Sequence, residues 1–231
     1  MAARQIVLDT ETTGLNAHLG DRVIEIGCVE LLQRRVTERH FHQYLNPERD
    51  IDEGAIKVHG LTREFLSDKP LFKDVAAEFL DYVKGAELLI HNAGFDVEFL
   101  DRELSLAGLG KLSTHVAGVI DTLAMARELH PGKRNALDTR CERYAVDNAH
   151  RPLHGARLDA RLLAEVYLAM TRGQESLVIE LESRESVAAG ASKIDASKLI
   201  VLKASEEELA AHEKILDRVD KQAKGGSVWR R

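Results

Sequence analysis

Asp9 and Glu11 stand two residues apart at the end of the apolar run Ile6-Val7-Leu8. The run reads as a buried strand. Residues two apart on a strand point to one face, so the carboxylates project side by side. Like charges held that close repel, and burial adds a desolvation cost. Two further acids sit where the pattern calls for apolar residues: Asp96 at the end of HNAGFD, and Asp159 on a stripe shared with Leu163, Val166 and Met170. Carboxylates converging from separate segments, without thiols or several histidines, suit a hard cation, Mg²⁺ or Mn²⁺. Two such ions about 4 Å apart can activate water and stabilise a leaving oxygen in phosphodiester hydrolysis. His154, five positions before Asp159, could take the proton from that water, since a free imidazole titrates near about 6.5. Each residue also has a plainer reading. The DTE segment fits an acidic turn, Asp96 an N-cap, Asp159 an ion pair with Arg157 or Arg161, and His154 a surface histidine. Only the combination favours chemistry.

The elements that must position these residues follow from periodicity. Val23–Leu32 and His40–Leu45 read as strands joined to the first by short connections, which favours an antiparallel meander. Phe72, Val75, Ala76, Phe79, Leu80 and Val83 then recur at helical spacing, with Gly85 as the stop. Leu88–His91 reads as a short strand, Asn92 and Gly94 as a turn, and a helix is expected from about Val97 to Leu106. A strand over Val116–Thr122 and helices near Leu123–Leu129, Ala136–Tyr144 and Gly155–Met170 complete the pattern. A meander followed by alternating strands and helices predicts an α/β fold, a mixed sheet covered by helices.

At Gly173 the helical period is lost in GQESLVIELESRESVAAGAS, which reads as a linker. KLIVLK then fits a short strand. SEEELAAHEKILDRVDKQAK fits a helix with Ser205 and Glu208 at capping-box spacing and a stripe of Leu209, Leu216 and Val219, helped by Ile215. Gly225-Gly226 break it, and the lone tryptophan, Trp229, follows. The 231 residues carry a net charge of -6 and two distant cysteines, Cys28 and Cys141. No basic footprint of a tight nucleic-acid binder dominates. No membrane-length apolar run or signal segment is evident, and the cysteine usage suits a reduced, cytoplasmic setting.

DTETTG, HNAGFD and HGARLD together resemble the three motifs of the DEDDh 3′→5′ exonucleases. Asp9, Glu11, Asp96 and Asp159 match the four acids, and His154 the histidine. The resemblance implies an RNase-H-like mixed β-sheet flanked by helices, two-metal hydrolysis and release of nucleoside monophosphates. Over nearly the whole chain, RQIVLDTETTGL, VHGLT, GAELLIHNAGFD, PGKRNALD, LHGARLDARLLAEVYLAMT and the terminal EELAAHEKILD…GGSVW are similar to the epsilon proofreading-subunit family of bacterial DNA polymerase III.

That likeness implies Thr12, Leu15, His59, Asn92 and Phe95 around the terminal nucleotide. It implies an exonuclease domain over 1–172, a flexible linker over 173–192 and a segment over 193–231 that binds the polymerase alpha subunit. Trp229 would anchor the tail, as tryptophan favours interface cores. Gln174–Ile179, with Gln174 and Leu177, resembles a sliding-clamp-binding peptide, and a small accessory subunit is a further family partner. DNA with single-stranded or frayed 3′ ends would be the substrate, in the bacterial cytoplasm at the replisome. One departure is local: the family often carries Pro-Glu-Ala where this chain reads Glu53-Gly54-Ala55. Two rivals remain at this level, a stand-alone ribonuclease trimming RNA ends and a non-catalytic scaffold joining replication factors.

Overall fold

A computed structural model of the chain describes residues 4–148, 153–172 and 204–222. The chain divides into two compact units, Met1–Leu177 and Val178–Arg231. In the first, strands β1 (Gln5–Thr12), β2 (Val23–Leu32) and β3 (Arg35–Tyr44) form the antiparallel meander. Gln33 and Arg34, both at positive φ, make the two-residue turn between β2 and β3. That hand matches the twist of paired strands. Strands β4 (Glu87–Ile90) and β5 (Gly118–Asp121) join in parallel on the other side of β1, giving the order β3-β2-β1-β4-β5. The mixed sheet predicted from the pattern is therefore present, and β1 lies at its centre.

Alternation along β1 feeds two separate cores. Ile6 and Leu8 pack with Leu88 and Ile90, under Phe72 and Phe79 of α3 (Phe72–Val83) and Phe99 of α4 (Ala93–Leu106). Val7 and Leu89 face the opposite way, into Ala160, Leu163 and Tyr167 of α7 (Ala156–Met170). Each fully buried aliphatic side chain contributes about 2 kcal/mol of transfer free energy, and a sheet with both faces covered reads as the near-continuous apolar run seen in Ile6-Val7-Leu8. The other α-helices among the described residues of this unit are α1 (Glu53–His59), α2 (Arg63–Leu66), α5 (Thr122–Leu129) and α6 (Leu137–Tyr144).

One glycine sets how closely α7 approaches the sheet. A Cβ on Gly27 would fall 2.2 Å from the carbonyl carbon of Ala156 and 2.2 Å from the nitrogen of Arg157. Backbone packs there against backbone, and Gly27 is paired with Asp9 across the β1–β2 ladder.

The structure departs from the sequence reading at several ends. Helix α4 starts at Ala93, not near Val97. Asn92 turns the chain in a left-handed conformation (φ 63°), which asparagine tolerates better than most residues, so no extra turn residues are needed. Asp96 therefore lies inside the first helical turn rather than at the cap. Strand β3 begins at Arg35 rather than His40, and β5 spans Gly118–Asp121 rather than Val116–Thr122. The short helices α1 and α2 have no counterpart in the sequence reading, because seven and four residues carry too little periodicity.

In the second unit, α8 (Glu206–Gln222) has the anticipated capping box. Ser205 N donates to Glu208 Oε2 at 2.8 Å, and Glu208 N donates to Ser205 Oγ at 3.2 Å. Leu209, Ile215 and Val219 are exposed. The expected linker, the KLIVLK strand, and the partner-binding residues Gln174, Leu177 and Trp229 lie outside the described residues. Among the described residues, no helix is long and apolar enough to cross a membrane.

Candidate active site

The C-terminal end of β1 brings the two faces of the sheet to one place. Asp9 and Glu11 continue the Val7 face towards α7, whereas Thr10 continues the Leu8 face towards α4. Thr10 Oγ1 donates to Asp96 Oδ1 at 2.7 Å, so β1 holds an acid from α4 through the residue between its own two. From the other face α7 supplies Asp159, which is 3 % exposed. His154 Nδ1 lies 3.3 Å from Asp159 Oδ2. Asp9, Glu11, Asp96, Asp159 and His154 all line one cavity of about 420 Å³.

Electrostatics mark this cavity as short of positive charge. The Asp9 carboxyl is pushed well above the usual carboxylate range, first by burial and then by Asp96, Glu11, Asp159 and Glu25. Burial likewise raises Asp96 to about 7, against the lowering effect of the Thr10 hydrogen bond. Groups held this way ionise more readily once a compensating positive charge arrives. One ligand atom each from Glu11, His154 and Asp159 lies within 4.8 Å of the others. Oxygen donors with a single imidazole fit a hard divalent cation.

The residues expected around a terminal nucleotide fall into two places. Thr12, Leu15, His59 and Phe95 line an adjoining, largely apolar cleft of about 490 Å³. Asn92 instead lines the acidic cavity, which Phe95 also reaches. His59 is buried, and its Nδ1 accepts from the nitrogen of Leu61 at 2.9 Å. Its Nε2 therefore carries the proton, and this buried atom has no hydrogen-bond partner among the described residues. Burial lowers the His59 pKa, with the Thr12 backbone opposing. Gly54 also lines the cleft, and a Cβ there would meet nothing within 4 Å.

Several contributors are not singled out by the sequence reading. Thr10 is invisible as a partner until α4 is placed beside it. Glu25 pairs in register with Glu11 and is 2.7 Å from His42 Nε2. Asp121 caps α5 through Leu123 N and Ala124 N, and also receives Asn92 N at 3.2 Å. A strand ending in an acid was a signal for Asp121. Nothing in the spacing pointed to the other two.

Comparison with known proteins agrees with this geometry. The profile of an exonuclease family matches residues 6–167. DNA polymerase III subunit epsilon of Salmonella typhimurium is 54% identical over 239 residues, covering 98% of this chain and 97% of the relative. The subunit of the same name from Rickettsia prowazekii is 45% identical, covering 95% and 98%. Among solved structures, an exonuclease X complex with 5′ overhanging duplex DNA shares the fold, with a TM-score of 0.58 and 23% identity over 73% of this chain and 92% of that one. An Escherichia coli exonuclease I complex with a dA16 oligonucleotide has a TM-score of 0.65 at 19% identity, covering 74% and 41%.

Proposed function

The chain belongs to the DNA polymerase III epsilon-subunit family of proofreading exonucleases, and from that premise we propose how its own residues divide the work. Asp9, Glu11, Asp96 and Asp159 would hold two divalent cations, Mg²⁺ or Mn²⁺. When bound, these ions supply neutralising charge for the carboxylates and polarise the scissile phosphodiester. His154 takes a proton from the attacking water, with Asp159 beside it to orient the ring and stabilise the charged imidazole. Thr10 keeps the Asp96 carboxylate turned into the cavity. The observation that carries the reading is the meeting of four acids from three elements, two with raised pKa values, around one cavity containing His154.

The apolar cleft beside this cavity receives the 3′-terminal nucleotide. Phe95, shared by both cavities, stacks against it, and His59 lines the wall of the cleft. Unpaired ends reach the cleft more easily than paired ones, which supplies the preference for mismatches without any reading of bases. An acidic chain grips DNA weakly by itself. The segment 193–231 with Trp229 therefore docks on the polymerase alpha subunit, while Gln174–Ile179 meets the clamp across the linker. Tethering raises the local concentration of the nuclease at the primer end. The setting is the bacterial cytoplasm, at the replisome.

The test is release of labelled 3′-terminal nucleotide from single-stranded DNA by the full chain. With Mg²⁺ we expect nucleoside monophosphates, no product with chelator, and a loss of about a thousandfold in kcat for Asp9→Ala. A folded wild-type chain without metal-dependent release would overturn the catalytic assignment and favour a scaffold. Faster turnover of a matched RNA strand would favour the ribonuclease.

A further inference from the structure

Arg140 is a large side chain with no exposed surface, on α6. Among the described residues no carboxylate lies within ion-pair distance of it, although burying a guanidinium without one is costly. The nearby Asp121 turns its Oδ1 to three backbone N–H groups and lies beyond ion-pair distance of the guanidinium. Arg140 Nη1 donates to the Thr122 carbonyl at 3.3 Å, and Nη2 lies 2.6 Å from Nδ1 of His91. Its Nε is buried without a partner. His91 closes β4 and lines the acidic cavity alongside Asp9 and Asp96.

A guanidinium can only donate, so His91 Nδ1 must accept. That leaves the single imidazole proton on Nε2. Thr122 Oγ1, 3.4 Å from the same Nδ1, is compatible with the same assignment. Nε2 itself has no protein partner among the described residues, and it is not among the polar atoms that are buried without one. The ring therefore presents a fixed, neutral N–H at the cavity wall. Burial and Arg140 together bring the His91 pKa down to about 4, so the ring stays neutral wherever the enzyme works.

We infer that Arg140 is a positioning residue that locks His91 as the Nε2–H tautomer, and that this N–H donates to a non-bridging oxygen of the phosphodiester immediately upstream of the scissile one. The inference rests on the exonuclease reading and adds a backbone contact to it. On that reading the scissile phosphate would lie at the carboxylates, and a neutral donor elsewhere in the same lining suits the neighbouring phosphate. It carries no sequence information, as befits a nuclease acting on any 3′ end.

Two measurements on the full chain test the two halves. Long-range ¹H–¹⁵N correlation spectra of the histidines report which His91 nitrogen is protonated. The wild type should show Nε2–H alone, and Arg140→Leu a mixture. A wild-type Nδ1–H signal would overturn the positioning role, whether or not the chain cleaves DNA. The second measurement uses single-stranded oligonucleotides with a neutral methylphosphonate at the linkage upstream of the scissile one. With an unmodified strand, His91→Phe should raise KM about tenfold, the worth of a hydrogen bond to a charged acceptor, with kcat little changed. Methylphosphonate should cost wild type a similar factor and His91→Phe nothing further, and His91→Gln should recover part of the loss. Equal penalties in wild type and His91→Phe would overturn the phosphate contact. Absence of any metal-dependent turnover in wild type would instead sink the exonuclease reading. In that case anisotropy binding of the same two strands in Ca²⁺ decides the contact by the same comparison.

Discussion

Asp96 is where residue-level chemistry has a thermodynamic signature. Its folded-state pKa of about 7 stands above the ordinary 3.8. Between those values the folded chain binds more protons than the unfolded one. The contribution of Asp96 to the stability of the metal-free protein is therefore full below about 4 and is lost as pH rises through about 7. Raised Asp9 acts in the same direction. We expect the metal-free Tm to be lower at about pH 8 than at about pH 6, with saturating Mg²⁺ closing the gap. Apparent Mg²⁺ affinity should rise about tenfold over the same interval, as the proton that binding must displace is lost. Calorimetry at the two pH values checks both, and a pH-independent affinity would contradict the assignment. Gly54 offers a second expectation. It lines the apolar cleft with open space beyond its Cα, while Glu53 beside it is exposed. Gly54→Glu should fit without repacking, stabilise α1 by about 0.5 kcal/mol through helix propensity, and lower KM for single-stranded DNA by a few fold. Steady-state kinetics and urea titration report the two effects separately.

At the scale of elements, the sequence spoke clearly wherever burial left a pattern. The apolar run of β1 was legible because both its faces are covered, and the stripe of α3 and the acid on the α7 stripe because burial of one face imposes a period. The start of α4 was not, since it depends on Asn92 adopting a left-handed turn, which no periodicity reports. Nor was the Thr10–Asp96 bond, because it joins residues 86 apart. Gly27 was equally silent: its role exists only once the N-terminal backbone of α7 is laid across it. Gly27→Ala should force that helix away from β2 and cost about 3 kcal/mol, the upper part of the usual range for overpacking. Asp159 rides on the displaced helix, so half-saturation by Mg²⁺ should move up together with the loss of stability. Urea unfolding and a metal titration of exonuclease activity check this. Destabilisation without a change in metal requirement would mean that α7 shifts without carrying its carboxylate.

For the whole molecule, the chain parts into two compact units at Leu177–Val178, and the capping box of α8 was readable because Ser205 and Glu208 are local in sequence. The docking partners proposed for the tail come only from resemblance, since a recognition segment carries no internal period that would announce it. Deleting residues 193–231 should leave nucleotide release from free single strands within about twofold of the full chain. It should reduce removal of mismatches during synthesis by the polymerase about a hundredfold, the scale of a lost tether. Co-elution with the alpha subunit and a primer-extension assay with a terminal mismatch measure the two effects. Slower release from free strands would mean that the tail also serves the nuclease site directly.

The two cores on either side of β1 carry a consequence for heredity. Helix α7, which carries Asp159, packs in one core and α4, which carries Asp96, in the other, and the proposed reaction needs both acids in register with the strand between them. Small losses of packing on either face would loosen the geometry well before the chain unfolds. Copying would continue through the polymerase, but its errors would stay. Conditional alleles in residues as distant as Phe79 or Tyr167 should therefore reveal themselves first as lineages that accumulate mutations, and only at higher temperature as cells that fail to grow.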